Sequence, residues 1–415
     1  MSNSLPCSMD RPSSPSGPSR GSGRERGRAH ERTALALAVS AALLGGVAGG
    51  AQAQAFPPVV QLSALDGANG FMLDGEAEGD YSGYSVAAAG DVNGDGLDDL
   101  IVGAFRASTN GGFSGRSYVV FGKTGGFASS LQLSSLDGTN GFKLDGEAAL
   151  DRSGRSVAAA GDLNGDGLDD LIVGAYRADP NGSDSGRSYV VFGRSPGFPA
   201  SLQLAALDGT NGFKLDGEAA GDASGFSVAA AGDVDGDGLD DLIVGAYRAD
   251  PNGEASGRSY VVFGRSTGFT SPLPLSDLDG TNGFQVDGEA AFDFSGFSVA
   301  AGGDLNGDGF GDLIVGAKYS SPNGSLSGRS YVVFGRSAGF PASLQLAALD
   351  GRNGFKLDGE MADDRSGFSV AAAGDLNGDG IDDLIVGATY SSPNGFRSGR
   401  SYVVFGKTGG FASPL

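Results

Sequence analysis

The chain contains 415 residues, of which 75 are Gly and 40% are hydrophobic, and its formal net charge is −22. This length is sufficient for a sizeable core, and the glycines do not follow the Gly-X-Y period of collagen. The composition therefore excludes a collagen-like or disordered chain and favours a turn-rich, all-β globular protein.

Residues 1–55 differ from the rest and have the features of a secretory signal peptide with a charged leader. An apolar stretch from Ala34 to Gly50 precedes a small-residue cleavage site at Ala51-Gln52-Ala53 or Ala53-Gln54-Ala55. We disfavour the alternative, an uncleaved membrane anchor, because the stretch is short and rich in small residues. The positive charges that precede the apolar stretch include Arg20, Arg24, Arg26, Arg28 and Arg32.

Cleavage of this leader changes the chemistry available to the mature chain. The only cysteine, Cys7, and the only histidine, His30, lie in the leader, which excludes disulfides, thiolate nucleophiles and imidazole metal ligands. From Gln54 onward the chain has 22 basic and 47 acidic residues, a formal charge of −25. We expect such a surface to repel nucleic acid and anionic lipid. The expected location is secreted or extracytoplasmic (periplasm, cell surface or extracellular), with no stable membrane span after cleavage.

The remainder, residues 56–415, is predicted to be one domain built from a repeat of 71 residues. New copies open at Gln61, Gln132, Gln203, Pro274 and Gln345 without any insertion or deletion. A strict period of this kind indicates one supersecondary unit repeated along the chain. The five repeats are 61–131, 132–202, 203–273, 274–344 and 345–415.

Each copy alternates short apolar runs with turn residues. In the second copy these runs predict strands near Ser156–Ala160, Leu171–Ala175, Arg187–Gly193 and Gly212–Leu215. Four antiparallel strands per unit, repeated radially, describe the blades of a β-propeller.

The strand with which the first copy begins and the strand with which the last copy ends indicate how such a ring could close. The first copy opens with a fourth-strand segment, Gly70–Leu73, and the last closes after a third-strand segment, Ser401–Gly406. A ring of five blades needs this phase if one blade draws strands from both ends of the chain. A part of a larger ring begins in the same way, so both arrangements stay open.

One acidic loop recurs in every copy: DVNGDGLDD, DLNGDGLDD, DVDGDGLDD, DLNGDGFGD and DLNGDGIDD. Positions 1, 3, 5 and 9 are always Asp or Asn, and position 7 offers a backbone carbonyl. Such an all-oxygen set suits Ca²⁺ and does not suit zinc or copper. We therefore predict up to five structural calcium ions. The predicted ligands are Asp91, Asn93, Asp95, Leu97 and Asp99; Asp162, Asn164, Asp166, Leu168 and Asp170; Asp233, Asp235, Asp237, Leu239 and Asp241; Asp304, Asn306, Asp308, Phe310 and Asp312; and Asp375, Asn377, Asp379, Ile381 and Asp383.

The eighth loop position gives an internal comparison. It is Asp98 in the first loop but Gly311 in the fourth, whereas the ninth position stays acidic, so we predict the eighth to be dispensable. An EF-hand is excluded because its twelfth position requires Glu, and here Val102 lies within a strand-like run. An Asn-Gly or Asp-Gly hairpin turn without metal is the simpler alternative, but it leaves the retained carboxylates unexplained.

The run SGYSVAAAGDVNGDGLDDLIVGA, followed by SGRSYVVFG, resembles the FG-GAP repeat of the integrin α-subunit propeller and its bacterial relatives. All five copies match. The resemblance implies a β-propeller with calcium in the loop between the first and second strands of each blade. It also implies that ligands meet the opposite face, formed here by segments such as FRASTNGGFSGR, YRADPNGSDSGR, KYSSPNGSLSGR and LDGEAEGDYSG. Integrin propellers have seven blades, whereas this chain has five repeats.

Three functions follow as expectations. The first is a calcium-binding module for adhesion or for binding an extracellular protein or glycan, with no enzymatic activity. The second is a multivalent lectin, in which Tyr81, Tyr84 and Phe226 replace the absent tryptophan. The third is a glycosidase; it is disfavoured because the prominent acids recur in every copy, whereas a catalytic pair is singular.

The arginine of SGRSYVVFG also recurs in every copy. We expect it to pair with a neighbouring carboxylate and not to bind an anionic ligand. These residues are Arg116, Arg187, Arg258, Arg329 and Arg400.

Overall fold

The computed structural model describes residues 58–411, and the predicted signal peptide lies outside them. The chain from Gln61 onward forms one compact unit. Its described part is all-β, as the sequence predicts, apart from five single turns of 3-10 helix at Leu62–Ala64, Leu133–Ser135, Leu204–Ala206, Leu275–Asp277 and Leu346–Ala348.

Twenty of the strands occupy four positions that recur with the repeat, here named first to fourth. The first strands are Ser85–Gly90, Ser156–Gly161, Ser227–Gly232, Ser295–Gly303 and Ser366–Gly374. The second strands are Asp99–Ala104, Asp170–Ala175, Asp241–Ala246, Asp312–Ala317 and Asp383–Ala388. The third strands are Arg116–Val120, Arg187–Val191, Arg258–Val262, Arg329–Val333 and Arg400–Val404. The fourth strands are Met72–Asp74, Gly141–Asp145, Gly212–Asp216, Gly283–Asp287 and Gly354–Asp358.

Neighbouring strands within a blade are antiparallel, in the order first, second, third, fourth. In blade 3, for example, Val244 pairs with Val228 on one side and with Tyr260 on the other. The fourth strand comes from the next sequence repeat, so each of the first four blades crosses a repeat boundary. Short parallel strands at Ser130–Gln132, Ser201–Gln203, Leu273–Pro274 and Ser343–Gln345 pair along the fourth strands.

Adjacent blades pack face to face through alternate residues of their strands. The core between blades 3 and 4 joins Ile243, Val261 and Phe263 of one sheet to Leu313 and Val315 of the next. The first strands of successive blades lie against one another, as in the inner row of a propeller.

Close approach at the inner row explains one repeated glycine. A Cβ atom on Gly245 would lie 2.1 Å from the carbonyl oxygen of Gly296 in the following blade. Any side chain at this position would therefore push two blades apart. The equivalent glycines are Gly103, Gly174 and Gly316.

The ring does not close within the described residues. Met72–Asp74 pairs only with Ser130–Gln132, and the last sheet has three strands, ending at Arg400–Val404. Five blades are therefore present in an open array. No helix in residues 58–411 is long and apolar enough to cross a membrane.

Candidate calcium-binding loops and the opposite face

Each acidic loop joins a first strand to a second strand across a bulge. In blade 1 the register shifts between Ala88 and Gly90, and Gly90 pairs with Asp99. Gly94 and Gly96 take left-handed backbone angles, with φ of 77° and 86°, which glycine adopts at low steric cost. The loop thus reverses direction within nine residues, as the sequence predicts.

The first carboxylate organises the loop backbone. Asp91 Oδ1 accepts hydrogen bonds from the N–H groups of Gly94 and Asp95, at 2.8 and 3.0 Å. Its Oδ2 accepts the N–H of Gly96 at 2.8 Å. The same three bonds form at Asp162, Asp233, Asp304 and Asp375.

The fifth position reinforces the turn. Asp95 Oδ1 accepts the N–H of Leu97, the seventh residue, at 3.0 Å. Equivalent bonds join the fifth and seventh positions in the other four loops. A carboxylate that accepts one N–H keeps further lone pairs, so these oxygens stay able to bind a cation.

The third loop brings three carboxylates together. Oxygens of Asp233, Asp235 and Asp237 all lie within 4.8 Å of one another, a grouping found nowhere else in residues 58–411. Burial, with help from Asp237, raises the pKa of Asp235. Three anions at this spacing repel one another, and a divalent cation between them would offset that repulsion. The other loops carry Asn at the third position.

The ninth carboxylate lies beneath the loop, where it braces two backbone segments. Asp241 is fully buried, and its oxygens accept the N–H groups of Gly264 and Val234, each at 2.8 Å. Burial raises the pKa of Asp241 to about 8. The equivalent pKa is about 7 at Asp99 and about 8 at Asp170 and Asp312, for the same reason. The structure therefore shows a bracing role, and metal ligation by this residue stays a prediction.

The eighth loop position makes a contact in three of the loops that the sequence did not reveal, and its dispensability stays a prediction. Asp169 Oδ2 accepts the N–H of Asp91, the first loop residue of the preceding blade, at 2.9 Å. Asp240 and Asp382 bind Asp162 and Asp304 in the same way. The partner lies 78 residues earlier in the chain, which is why the local pattern could not reveal it. Where the residue is Gly311, only the backbone contact remains, from its N–H to the carbonyl oxygen of Asp233.

The repeated arginine pairs with two carboxylates, as predicted. Arg258 Nε donates to Asp287 at 2.6 Å, and its Nη1 donates to Glu218 at 2.6 Å. Tyr260 Oη also donates to Glu218, at 3.1 Å. The set recurs at Arg116, Arg187 and Arg329. These acids and arginines therefore hold strands together, which supports neither an anion site nor a catalytic pair at these positions.

The loops between second and third strands lie at the opposite end of the blades and bind the segment that follows the fourth strand. Asn181 Nδ2 donates to the carbonyl oxygen of Gly217, at 2.7 Å. Asn110, Asn252 and Asn323 make the same bond. This face also exposes large apolar side chains, including Phe396 at 85% and Leu150 at 57%.

Comparison with known proteins agrees with this architecture. The FG-GAP repeat family matches residues 82–120, 153–191, 224–262, 295–333 and 366–404. Each matched segment begins at, or three residues before, a first strand and ends with a third strand, so it contains one acidic loop.

Curated relatives include several integrin alpha chains. Integrin alpha-5 of Xenopus laevis is 35% identical over 198 residues, which cover 46% of this chain and 17% of the relative. Integrin alpha-IIb of Homo sapiens is 38% identical over 184 residues, covering 43% and 16%. Integrin alpha pat-2 of Caenorhabditis elegans is 31% identical over 259 residues, covering 58% and 18%. The matched region spans less than a fifth of the length of these relatives.

Proposed function

The chain belongs to the FG-GAP repeat proteins and has an integrin alpha-like β-propeller architecture, and from this we propose that it is a secreted, calcium-stabilised binding module. In this proposal it recognises an extracellular protein or glycan through the face opposite the acidic loops. It acts by binding and not by catalysis.

The acidic loops carry the calcium part of the proposal. The first, third and fifth side chains would hold the ion, together with the seventh carbonyl and the ninth carboxylate. A bound divalent cation would neutralise the carboxylates and so make the loop geometry favourable at neutral pH. The single most direct support is the group Asp233, Asp235 and Asp237, whose oxygens lie within 4.8 Å of one another.

Calorimetric titration of the EDTA-treated protein with calcium tests this part. We expect up to five ions to bind and the melting temperature to rise markedly with calcium, because binding to the native state alone stabilises it. A matched pair of variants sharpens the result. Asp233→Ala removes a predicted ligand oxygen and should lower the stoichiometry by one, whereas Asp98→Ala changes an eighth position and should leave the stoichiometry unchanged. A melting temperature that is the same in calcium and in EDTA would refute the calcium site.

The binding part rests on the family and on the exposed face, because the carboxylates of the repeated ion pairs are already used in the fold. Immobilised protein should retain cells, matrix proteins or glycans in calcium and release them in EDTA. The lectin alternative predicts retention by glycans alone, so a glycan array separates the two. Absence of any calcium-dependent retention would contradict the proposed binding function and would leave the proposal of calcium sites unaffected.

A further inference from the structure

A row of five side chains runs along the inner edge of the blades on the face opposite the acidic loops. The members are 71 residues apart and lie at the start of each first strand. We call them the axial row: Tyr84, Arg155, Phe226, Phe297 and Phe368.

The members of the axial row contact one another across the blades. The Arg155 guanidinium carbon lies 4.5 Å from the ring centroid of Tyr84 and 4.4 Å from that of Phe226. The row continues from Phe226 to Phe297 at 5.0 Å and from Phe297 to Phe368 at 5.4 Å between centroids. One cation therefore interrupts a continuous aromatic row.

Arg155 has no hydrogen-bond acceptor and no carboxylate partner among residues 58–411. It differs in this from the repeated arginine Arg258, which pairs with two carboxylates. Because the two rings cover the faces of the Arg155 guanidinium, a ligand would contact its edge, where the N–H groups lie. A guanidinium edge matches a carboxylate in bidentate geometry.

A second cation lies farther along the axial row. Lys318 is only 8% exposed, and its Nζ lies 3.2 Å from the Phe297 centroid and 5.3 Å from that of Phe368. No described residue accepts a hydrogen bond from this amine. Burial, together with the positive charge of Arg365, lowers the pKa of Lys318 to about 8. The amine therefore has donors free for a ligand, and an anionic group would supply a charge-assisted acceptor.

We propose that the axial row binds an anionic glycan, specifically a chain of uronic acid residues. This inference rests on the proposed binding function of this face. The carboxylate of one sugar pairs with Arg155, and a second carboxylate interacts with Lys318. The apolar face of a sugar ring stacks on Tyr84, which is 49% exposed. An acidic peptide offers the same charge but no rigid ring with an apolar face, so the exposed aromatic ring favours the glycan. Two of the three aromatics predicted for a lectin, Tyr84 and Phe226, are the residues that flank Arg155.

Calorimetric titration of the calcium-loaded protein with three short probes tests this inference. The probes are tetragalacturonate, neutral tetragalactose and tetraglutamate. We expect tetragalacturonate to bind at least tenfold more tightly than either of the others, because it alone combines sugar rings with carboxylates. Equal binding of tetraglutamate would overturn the glycan assignment in favour of an acidic peptide, and equal binding of tetragalactose would overturn the role of charge.

The chain itself supplies conservative variants. Arg155→Phe installs the residue found in the last three members of the axial row, and Lys318→Tyr installs the residue found at the equivalent Tyr176 and Tyr247. Each should weaken tetragalacturonate binding about tenfold while leaving the melting temperature and calcium stoichiometry unchanged. Arg336→Ala, a matched loss of one positive charge beside the acidic loops, should change affinity less than twofold.

Two results would overturn the site. One is wild-type affinity for tetragalacturonate in both the Arg155→Phe and the Lys318→Tyr variants. The other is failure of the unmodified protein to bind tetragalacturonate, and if cells or matrix are still retained in calcium, the proposed function stands while this inference fails.

Discussion

The junctions between blades and the two ends of the array are built from the same sequence but differ in burial. Phe192, Phe263 and Phe334 are 5–8% exposed, whereas the equivalent Phe405 in the last blade is 55% exposed. At the other end, Val86 is 65% exposed and its counterpart Val228 only 5%. A blade thus carries two apolar faces and depends on a neighbour to cover each.

Polar side chains also make fewer contacts at the ends of the array than at the junctions between blades. Arg258 pairs with Asp287 of its own blade's fourth strand and with Glu218, which follows the fourth strand of the preceding blade. Arg400 pairs only with Glu360, because the last blade has no fourth strand. The Asp382 carboxylate reaches the preceding loop, whereas Asp98 has no preceding loop to reach. The contacts that stabilise this molecule therefore form between neighbouring blades more than within single repeats.

The largest expected difference comes from truncating one matched aromatic residue. Phe263→Ala should lower the free energy of unfolding by about 3–5 kcal/mol, because it opens a cavity at a buried junction. Phe405→Ala should lower it by less than about 1 kcal/mol, because the ring is already half in water. Urea denaturation in calcium measures both. Equal losses of unfolding free energy would mean that the outer apolar face of the last blade is covered in solution. The contrast between junctions and ends would then fail.

The matched arginines should give the next largest difference. Arg258→Ala leaves Asp287 and Glu218 without their cation in a partly buried setting, which should cost about 3 kcal/mol of unfolding free energy. Arg400→Ala removes one exposed pair and should have a much smaller effect. Thermal melts of the two variants beside the wild type provide the measurement. A larger loss for Arg400→Ala would contradict the structural account.

A pH comparison tests burial at the start of the first strands. Burial raises the pKa of Asp222 to about 6 and, in the more open first blade, raises the pKa of Asp80. A carboxyl with a raised native pKa stabilises the fold when protonated, and this stabilisation is lost as pH rises through about 6. Asp222→Asn should therefore gain about 1 kcal/mol relative to wild type between pH 4.5 and 7.5, after allowance for solvent screening.

The control for this titration is Asp80→Asn, for which the gain should be smaller. Denaturation curves at the two pH values, each in calcium, supply the free energies of unfolding. An Asp222→Asn gain that does not change with pH would show that the buried carboxyl titrates normally.

The smallest effect concerns the eighth loop position. Asp382→Ala removes one hydrogen bond between neighbouring loops and should cost about 1 kcal/mol of unfolding free energy. Asp98→Ala should cost nothing measurable, since Asp98 makes no such bond. High-precision chemical denaturation distinguishes the two. A null result at Asp382 would support the prediction that this position is dispensable.

Much of the fold was predictable from local pattern. Alternating apolar residues placed the strands of the second copy within one or two residues of Ser156–Gly161, Asp170–Ala175 and Arg187–Val191. The turn in each acidic loop was predictable from its glycines and its first carboxylate, because that carboxylate accepts its hydrogen bonds from within the nine residues of the loop. The recurrence of the arginine and of nearby acids was enough to predict ion pairs, although not which acid pairs with which.

The sequence by itself determined the repeat, the strand order within a blade and the acidic loops, because these depend on residues close together along the chain. Only the tertiary structure decided the rest: that Asp169 reaches Asp91 in another blade, that Asp241 braces the loop from beneath, and that the array stays open. It also decided that Arg155 lies between two aromatic rings. The physical reason is that identical repeats encode identical local structure, whereas burial and charge pairing depend on the neighbour that each repeat meets.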